Sequence, residues 1–156
     1  MRGTPVAVAL GSNIGDRQAH LDFAIRRLHD FLTDLRVSSF IDTAPVGVGP
    51  QATFLNAAAA GLCPHSSPRV LLDALLAIER DRGRDRPHPG APRTLDLDLI
   101  LFGDVVLSEP GLQVPHPRFR ERRFVLEPLA AITPEWVDPV TGKSVGELLA
   151  ELGTEN

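Results

Sequence analysis

The run Leu95-Asp96-Leu97-Asp98-Leu99 sets two carboxylates two residues apart among leucines. Side chains alternate along a strand, so there Asp96 and Asp98 share one face about 7 Å apart and the leucines take the other. Ile100 and Phe102 continue the aspartate face as apolar positions, which reads as a strand buried on both sides. Two carboxylates in such a setting repel each other and lose hydration, a combination that asks for cations. Mg2+ takes one or two carboxylates, keeps several waters and shares substrate phosphates. The pair therefore fits a nucleotide–Mg2+ site. Aspartates on an open sheet face, or paired with nearby arginines, are the alternatives that the spacing leaves open.

The arginines bear on that choice. Of the 16 basic residues only Lys143 is lysine, and nine arginines fall between Arg80 and Arg123. Guanidinium forks match phosphate oxygens and carboxylates. Arg84, Arg86 and Arg93 flank a long Pro/Gly loop just before the aspartate strand, and Arg118, Arg120, Arg122 and Arg123 follow His116. A mildly acidic chain, net charge −4, with its cations concentrated here suits a small polyanion such as a triphosphate. The alternative is a solvated arginine face.

Other polar groups are candidates for a second substrate. Asn56 offers a donor and an acceptor to a heterocycle edge. Phe54 precedes it by two residues on the same strand face, and Phe124 follows the second arginine cluster, so two rings from separate segments can flank a flat ligand. Core packing of both rings is the plainer reading. Gly11-Ser12-Asn13-Ile14-Gly15-Asp16 links a strand to a helix, but Asp16 at the cap repels phosphate, so it reads as a structural turn. Gly142-Lys143-Ser144 resembles the end of a phosphate-binding loop, yet Val137 stands where that motif needs glycine.

The elements that must position these groups follow from periodicity. Val6–Leu10 is a strand. Asp16 caps a helix from about Arg17 to Leu32 with apolar residues at three-to-four spacing. Leu35–Thr43 and Phe54–Cys63 read as strands, and Ser67-Pro68 opens a helix to about Arg82. Gly83–Arg93 is a loop, Thr94–Phe102 a strand, and Val105–Leu107 its hairpin partner across Gly103-Asp104. A helix follows from about Phe124 to Ile132, and Ser144 with Glu147 forms a capping box for a last helix to Leu152. The order is β-α-β-β-α-β with a C-terminal helical extension: an α+β, ferredoxin-like fold, a four-stranded antiparallel sheet with helices on one face.

The chain's 156 residues form one expected domain, 1–156, without repeats or linkers. A single cysteine, Cys63, excludes an intrachain disulfide and any cysteine-based zinc cluster, and points to a reducing, cytoplasmic setting. No apolar run approaches membrane-spanning length. The absence of Tyr, one Trp (Trp136, outside the sheet) and the negative charge argue against nucleic-acid binding.

Four blocks carry a resemblance: Ala9-Leu10-Gly11-Ser12-Asn13-x-Gly15-Asp16, Phe54-Leu55-Asn56-Ala57-Ala58, Pro92-Arg93-Thr94-Leu95-Asp96-Leu97-Asp98 and Val114-Pro115-His116-Pro117. In this order they resemble 6-hydroxymethyl-7,8-dihydropterin pyrophosphokinases of folate synthesis, over about Val6 to Leu152. The resemblance implies transfer of pyrophosphate from ATP to the pterin hydroxymethyl group, with release of AMP. It implies two Mg2+ ions on Asp96 and Asp98. Arg84 and Arg93 would stabilise the moving charge, Arg86, His116 and Arg122 would grip the triphosphate, and Glu79 would lie near the nucleotide. Asn56 would read the pterin edge with backbone groups from Thr43, Ala44 and Val46, and Phe54 and Phe124 would stack on the ring. A monomer is the expected working form. Gly90 stands where many members carry an aromatic residue, and Phe54 where several carry Tyr.

Overall fold

Every position from Val6 to Leu10 is apolar, so the strand they form needs cover on both faces and a neighbour on each edge. In the computed structural model, which describes residues 3–43, 53–83 and 94–153, it has both. Strand β1 (Thr4–Ser12) lies between β4 (Phe54–Cys63) and β5 (Asp96–Phe102), antiparallel to each. Strands β2 (Thr33–Val37) and β3 (Ile41–Thr43) both pair with β4, giving the order β2-β4-β1-β5 with β3 further along β4.

This sheet therefore has five strands among the described residues, not the expected four. The extra strand comes from the stretch Leu35–Thr43, expected as one strand. Ser38 interrupts it: its hydroxyl accepts from the Ala58 N–H and donates to the Ser39 carbonyl. A serine that bonds backbone locally competes with the regular ladder. Val37 pairs with Ala59 and Ile41 with Asn56, so three residues on one side span two on the other, and the chain kinks there.

Helix α1 (Arg17–Leu28) begins as expected, with Asp16 accepting from the Ala19 N–H at 3.1 Å. It ends four residues early. Phe31 and Leu32 donate back to the Leu28 carbonyl in a tight turn that delivers the chain to β2, and Leu32 stays in the core. Helix α2 (Pro68–Asp81) is capped by Ser67 and buries Leu71, Leu75 and Ile78. Both pack on the sheet face formed by Val6, Val8, Leu10, Leu97 and Leu99.

Helices α3 (Arg123–Ile132) and α4 (Val145–Gly153) cover part of the other face, against Ala7, Ala58, Ile100 and Leu101. The one-sided arrangement expected from sequence is corrected on this point: the C-terminal extension supplies a second layer because its helices carry apolar stripes of their own. The capping box forms as expected, Ser144 N–H to Glu147 Oε1 at 2.9 Å and Glu147 N–H to Ser144 Oγ at 3.1 Å. Four consecutive alanines, Ala57 to Ala60, are buried in β4, where small side chains let layers approach from both sides.

Two further expectations fail locally. Val105–Leu107 does not pair with β5. Instead β6 (Leu107–Glu109) pairs with β7 (Leu112–Val114) across Pro110-Gly111, where Gly111 has φ +75°. Phe102 does not continue the aspartate face. The register slips between Ala7 and Val8, which pair with Leu101 and Leu99, leaving Ile100 as an extra residue. Ile100 and Leu101 both face α3 and α4, and Phe102 returns to the other core.

One contact between α1 and α2 carries a pH dependence. Arg82 donates from Nε to His20 Nδ1 at 2.8 Å and lies 4.9 Å from the Phe23 ring centroid. That bond needs an unprotonated Nδ1. Burial first, and then the Arg82 charge, hold His20 below its ordinary value of 6.5, with Asp16 pulling the other way. Below 6.5 the unfolded chain binds the proton more readily than the fold does, so stability falls as pH drops through this window. Thermal melts between about pH 8 and about pH 5 should show a steeper decline for the native chain than for His20→Gln, which keeps an acceptor but no titration. Parallel curves would contradict this.

Candidate active site

Antiparallel registry brings the chemistry-bearing residues to one end of the sheet. Asp96 pairs with Gly11, and Gly11 with Asn56. One step inward, Asp98 pairs with Ala9, and Ala9 with Ala58. Cross-strand partners point to the same face, so two carboxylates and one amide stand on a floor of Gly and Ala. The floor must be small. A Cβ at Gly11 would come within 3.2 Å of Asn56 Oδ1 and 3.7 Å of the Phe54 ring.

Above this floor is a cavity of about 340 Å3. Thr43 and Phe54 form one wall, Arg122, Phe124 and Val125 the other, with Asp96 and Asp98 along β5. Asn56 is 6% exposed, and its Nδ2 donates to Thr43 Oγ1 at 2.6 Å, which fixes the amide's orientation. Phe124 is 37% exposed, unusual for a large apolar ring, and the Arg122 guanidinium lies 5.7 Å from its centroid. A cleft of this size, apolar with a few convergent polar groups, has the proportions of a small-molecule site.

A second cavity of about 270 Å3 opens on the other side of Asp98, between β5, β7 and His116. His116 donates its backbone N–H to the Ile100 carbonyl at 3.0 Å and accepts from the Arg118 N–H at Nδ1. Burial, followed by the Arg122 charge, holds its pKa below the ordinary value, while Asp96 opposes them. A neutral imidazole with Nδ1 accepting leaves its other nitrogen to carry the proton.

Glu79 is buried at 2% exposure, and its Oε2 accepts from the Leu97 N–H at 2.6 Å. β5 is an edge strand, so that amide points away from β1 and needs a partner. Glu79 thus pins β5 at the residue between the two aspartates.

Thr43, Phe54, Asn56, Asp96, Asp98, Arg122 and Phe124 line one cavity, and His116 with Asp98 lines the next; Arg122, expected beside His116, stands instead with Phe54 and Asn56. Arg84, Arg86, Arg93, Ala44 and Val46 lie outside the described residues. From sequence, Gly11 belongs to a turn only. Its place near the end of a strand, where glycine often marks close approach of another group, was the available signal. Among the described residues no group of three or more His, Cys, Asp or Glu gathers as a metal cage. Two carboxylates beside open cavities suit Mg2+, which relies on substrate oxygens and water, better than a metal held by protein alone. No helix among the described residues is long and apolar enough to cross a membrane.

Known proteins resemble this one closely. A chain from Synechocystis sp. named 2-amino-4-hydroxy-6-hydroxymethyldihydropteridine pyrophosphokinase is 42% identical over 147 residues, covering 93% of this chain and 74% of its own. One of the same name from Pseudomonas aeruginosa is 44% identical over 149 residues, covering 93% of this chain and 90% of its own. The fold matches crystal structures of Plasmodium falciparum HPPK-DHPS. One, with pteroate, has a TM-score of 0.77 at 14% identity, covering 97% of this chain and 44% of that one. The present chain thus spans less than half of that longer protein. The model of the 7,8-dihydro-6-hydroxymethylpterin-pyrophosphokinase (HPPK) family matches residues 7–134, and the chain belongs to that family.

Proposed function

We propose that the chain carries out its family's reaction, transfer of pyrophosphate from ATP to the hydroxymethyl group of 6-hydroxymethyl-7,8-dihydropterin, and that Asp96 and Asp98 would hold two Mg2+ ions. The observation that carries this reading is the position of Asp98, which lines both cavities at once. Reactants in adjoining clefts, with a carboxylate at their junction, have the arrangement that in-line phosphoryl transfer requires.

The larger cavity takes the pterin. Asn56, oriented by Thr43, meets the ring's donor–acceptor edge while Phe54 and Phe124 flank its faces; a part for the backbone of Ala44 and Val46 rests on the family resemblance alone. The smaller cavity takes the nucleotide, with His116 in its lining, and Arg122, in the wall of the larger cavity, grips the triphosphate from the pterin side. Glu79 acts from beneath, holding β5. Arg86 joins the triphosphate grip, and Arg84 and Arg93 stabilise charge on the transferred group; these roles follow from the match of their motif to the family. Bound Mg2+ would neutralise phosphate charge and make the acceptor hydroxyl a better nucleophile. That oxygen bonds to the β-phosphorus, the α–β bridge breaks, AMP leaves and the hydroxyl proton passes to water.

The order β2-β4-β1-β5, with α1 after β1 and α2 after β4, supports a ferredoxin-like topology to which β3 is an addition. Both helical layers share this sheet, which favours a single domain over 1–156. The working form is a monomer, and the buried lone Cys63 suits a reducing cytoplasm. The test is the product. Incubation with MgATP and the pterin alcohol should release AMP in step with pterin consumed. Release of ADP, or turnover independent of pterin, would contradict the reading.

A further inference from the structure

We propose that Arg17 is a positioning residue for the pterin cavity, acting through Asp42 and Thr53 from the opposite face of the sheet; this rests on the assignment of that cavity to the pterin. Arg17 is the first residue of α1 and does not line the cavity. Its Nη1 reaches Asp42 Oδ1 at 2.6 Å, the Thr53 carbonyl at 2.8 Å and Thr53 Oγ1 at 2.9 Å. Thr53 Oγ1 in turn donates to Asp42 Oδ1 at 2.7 Å. One guanidinium therefore joins three segments: the start of α1, the middle of β3 and the residue before β4.

Location gives the cluster its importance. A partly exposed ion pair contributes little stability on its own, and the Arg17 and Asp42 side chains are 27% and 56% exposed. But β3 has three residues and, among the described residues, pairs only with β4. Thr43 faces Phe54 across that short ladder, and each is the immediate neighbour of a clasp residue. Alternation turns Asp42 away from the cavity while Thr43 faces it. If β3 slides, Thr43 Oγ1 leaves Asn56 Nδ2, and the amide loses the contact that sets its orientation. The Asp42 carboxyl is held below its usual range by its bonds from Arg17 and Thr53, so it is ionised at neutral pH.

The test is a pair of binding titrations on the full chain: pterin alcohol with a non-hydrolysable ATP analogue and Mg2+ present, and the analogue with Mg2+ alone. Arg17→Ala should weaken pterin binding about tenfold, the scale of one hydrogen bond lost in a desolvated pocket. Analogue affinity should stay within about twofold, a change smaller than one such bond produces. Asp42→Asn, nearly the same shape, should reproduce the split, and the double variant should add little to either single one. Arg17→Lys keeps the charge on a shorter side chain whose ammonium reaches the cluster less well, and should fall between. Unchanged pterin affinity in Arg17→Ala or Asp42→Asn, or parallel loss of both affinities, would overturn the proposal. A native chain that binds no pterin would overturn the cavity assignment, and the proposal with it; native binding that the variants leave intact overturns the proposal alone.

Discussion

Alanine at Asp96 or at Asp98 is expected to lower turnover by at least about 10^3-fold, because on the proposed reading each carboxylate would hold the Mg2+ that offsets phosphate charge. The two should differ in how they fail. Asp98 borders both cavities and Asp96 only the larger. Asp98→Ala should therefore also weaken Mg2+-dependent nucleotide binding, whereas Asp96→Ala should act mainly on the rate with both substrates bound. Initial rates at saturating substrates, with analogue titrations at varied Mg2+, measure both quantities. Near-native turnover in either variant would remove that carboxylate from the chemistry.

The second large effect lies outside the cavities. Asp138 is wholly buried, and it accepts from Arg120 Nε and Nη2, from the Val140 N–H at 3.0 Å and from Thr141 Oγ1 at 2.7 Å. Burial pushes its carboxyl upward, but these bonds outweigh burial and hold it below its usual value of 3.8. Breaking a buried pair from one side costs about 3–5 kcal/mol. Arg120 keeps some access to water, so Asp138→Ala should cost about 3 kcal/mol, at the low end of that range. For a chain of this length that is a fall in thermal midpoint of roughly 6–12 °C. The native advantage is present above pH 3.8 and is lost as pH falls through the folded value, so the two proteins should converge in acid. Equal midpoints at neutral pH would show that the clasp contributes nothing. Arg120 lies between His116 and Arg122, so this pair also ties the cation-bearing segment to the C-terminal layer.

Asp138 and Arg17 illustrate what a sequence conceals. Their partners lie 18 and 25 residues away and become partners only through packing. Asp138 is also beyond the stretch matched by the family model. By contrast, the caps at Asp16, Ser67 and Ser144 depend on neighbours three residues away and were legible at once. The paired aspartates were legible for a similar reason, since alternation alone puts them on one face. That rule failed three residues later, where an extra residue opposite Ala7 and Val8 reversed the parity and sent Leu101, not Phe102, to the second core. The kink at Ser38 was hidden because serine's competition for the backbone depends on what lies opposite it, here Ala58. Phe54 and Asn56 could be named from a family block, but the reason for Gly11 needed the registry that sets it between Asp96 and Asn56.

The most direct measurement is a crystal structure of the chain with Mg2+, a non-hydrolysable ATP analogue and the pterin alcohol. The expected result is cations held between the Asp96 and Asp98 oxygens and the nucleotide phosphates, with the acceptor hydroxyl in line with the β-phosphorus. Carboxylates engaged only by protein side chains, with substrates bound and no cation beside them, would contradict the account.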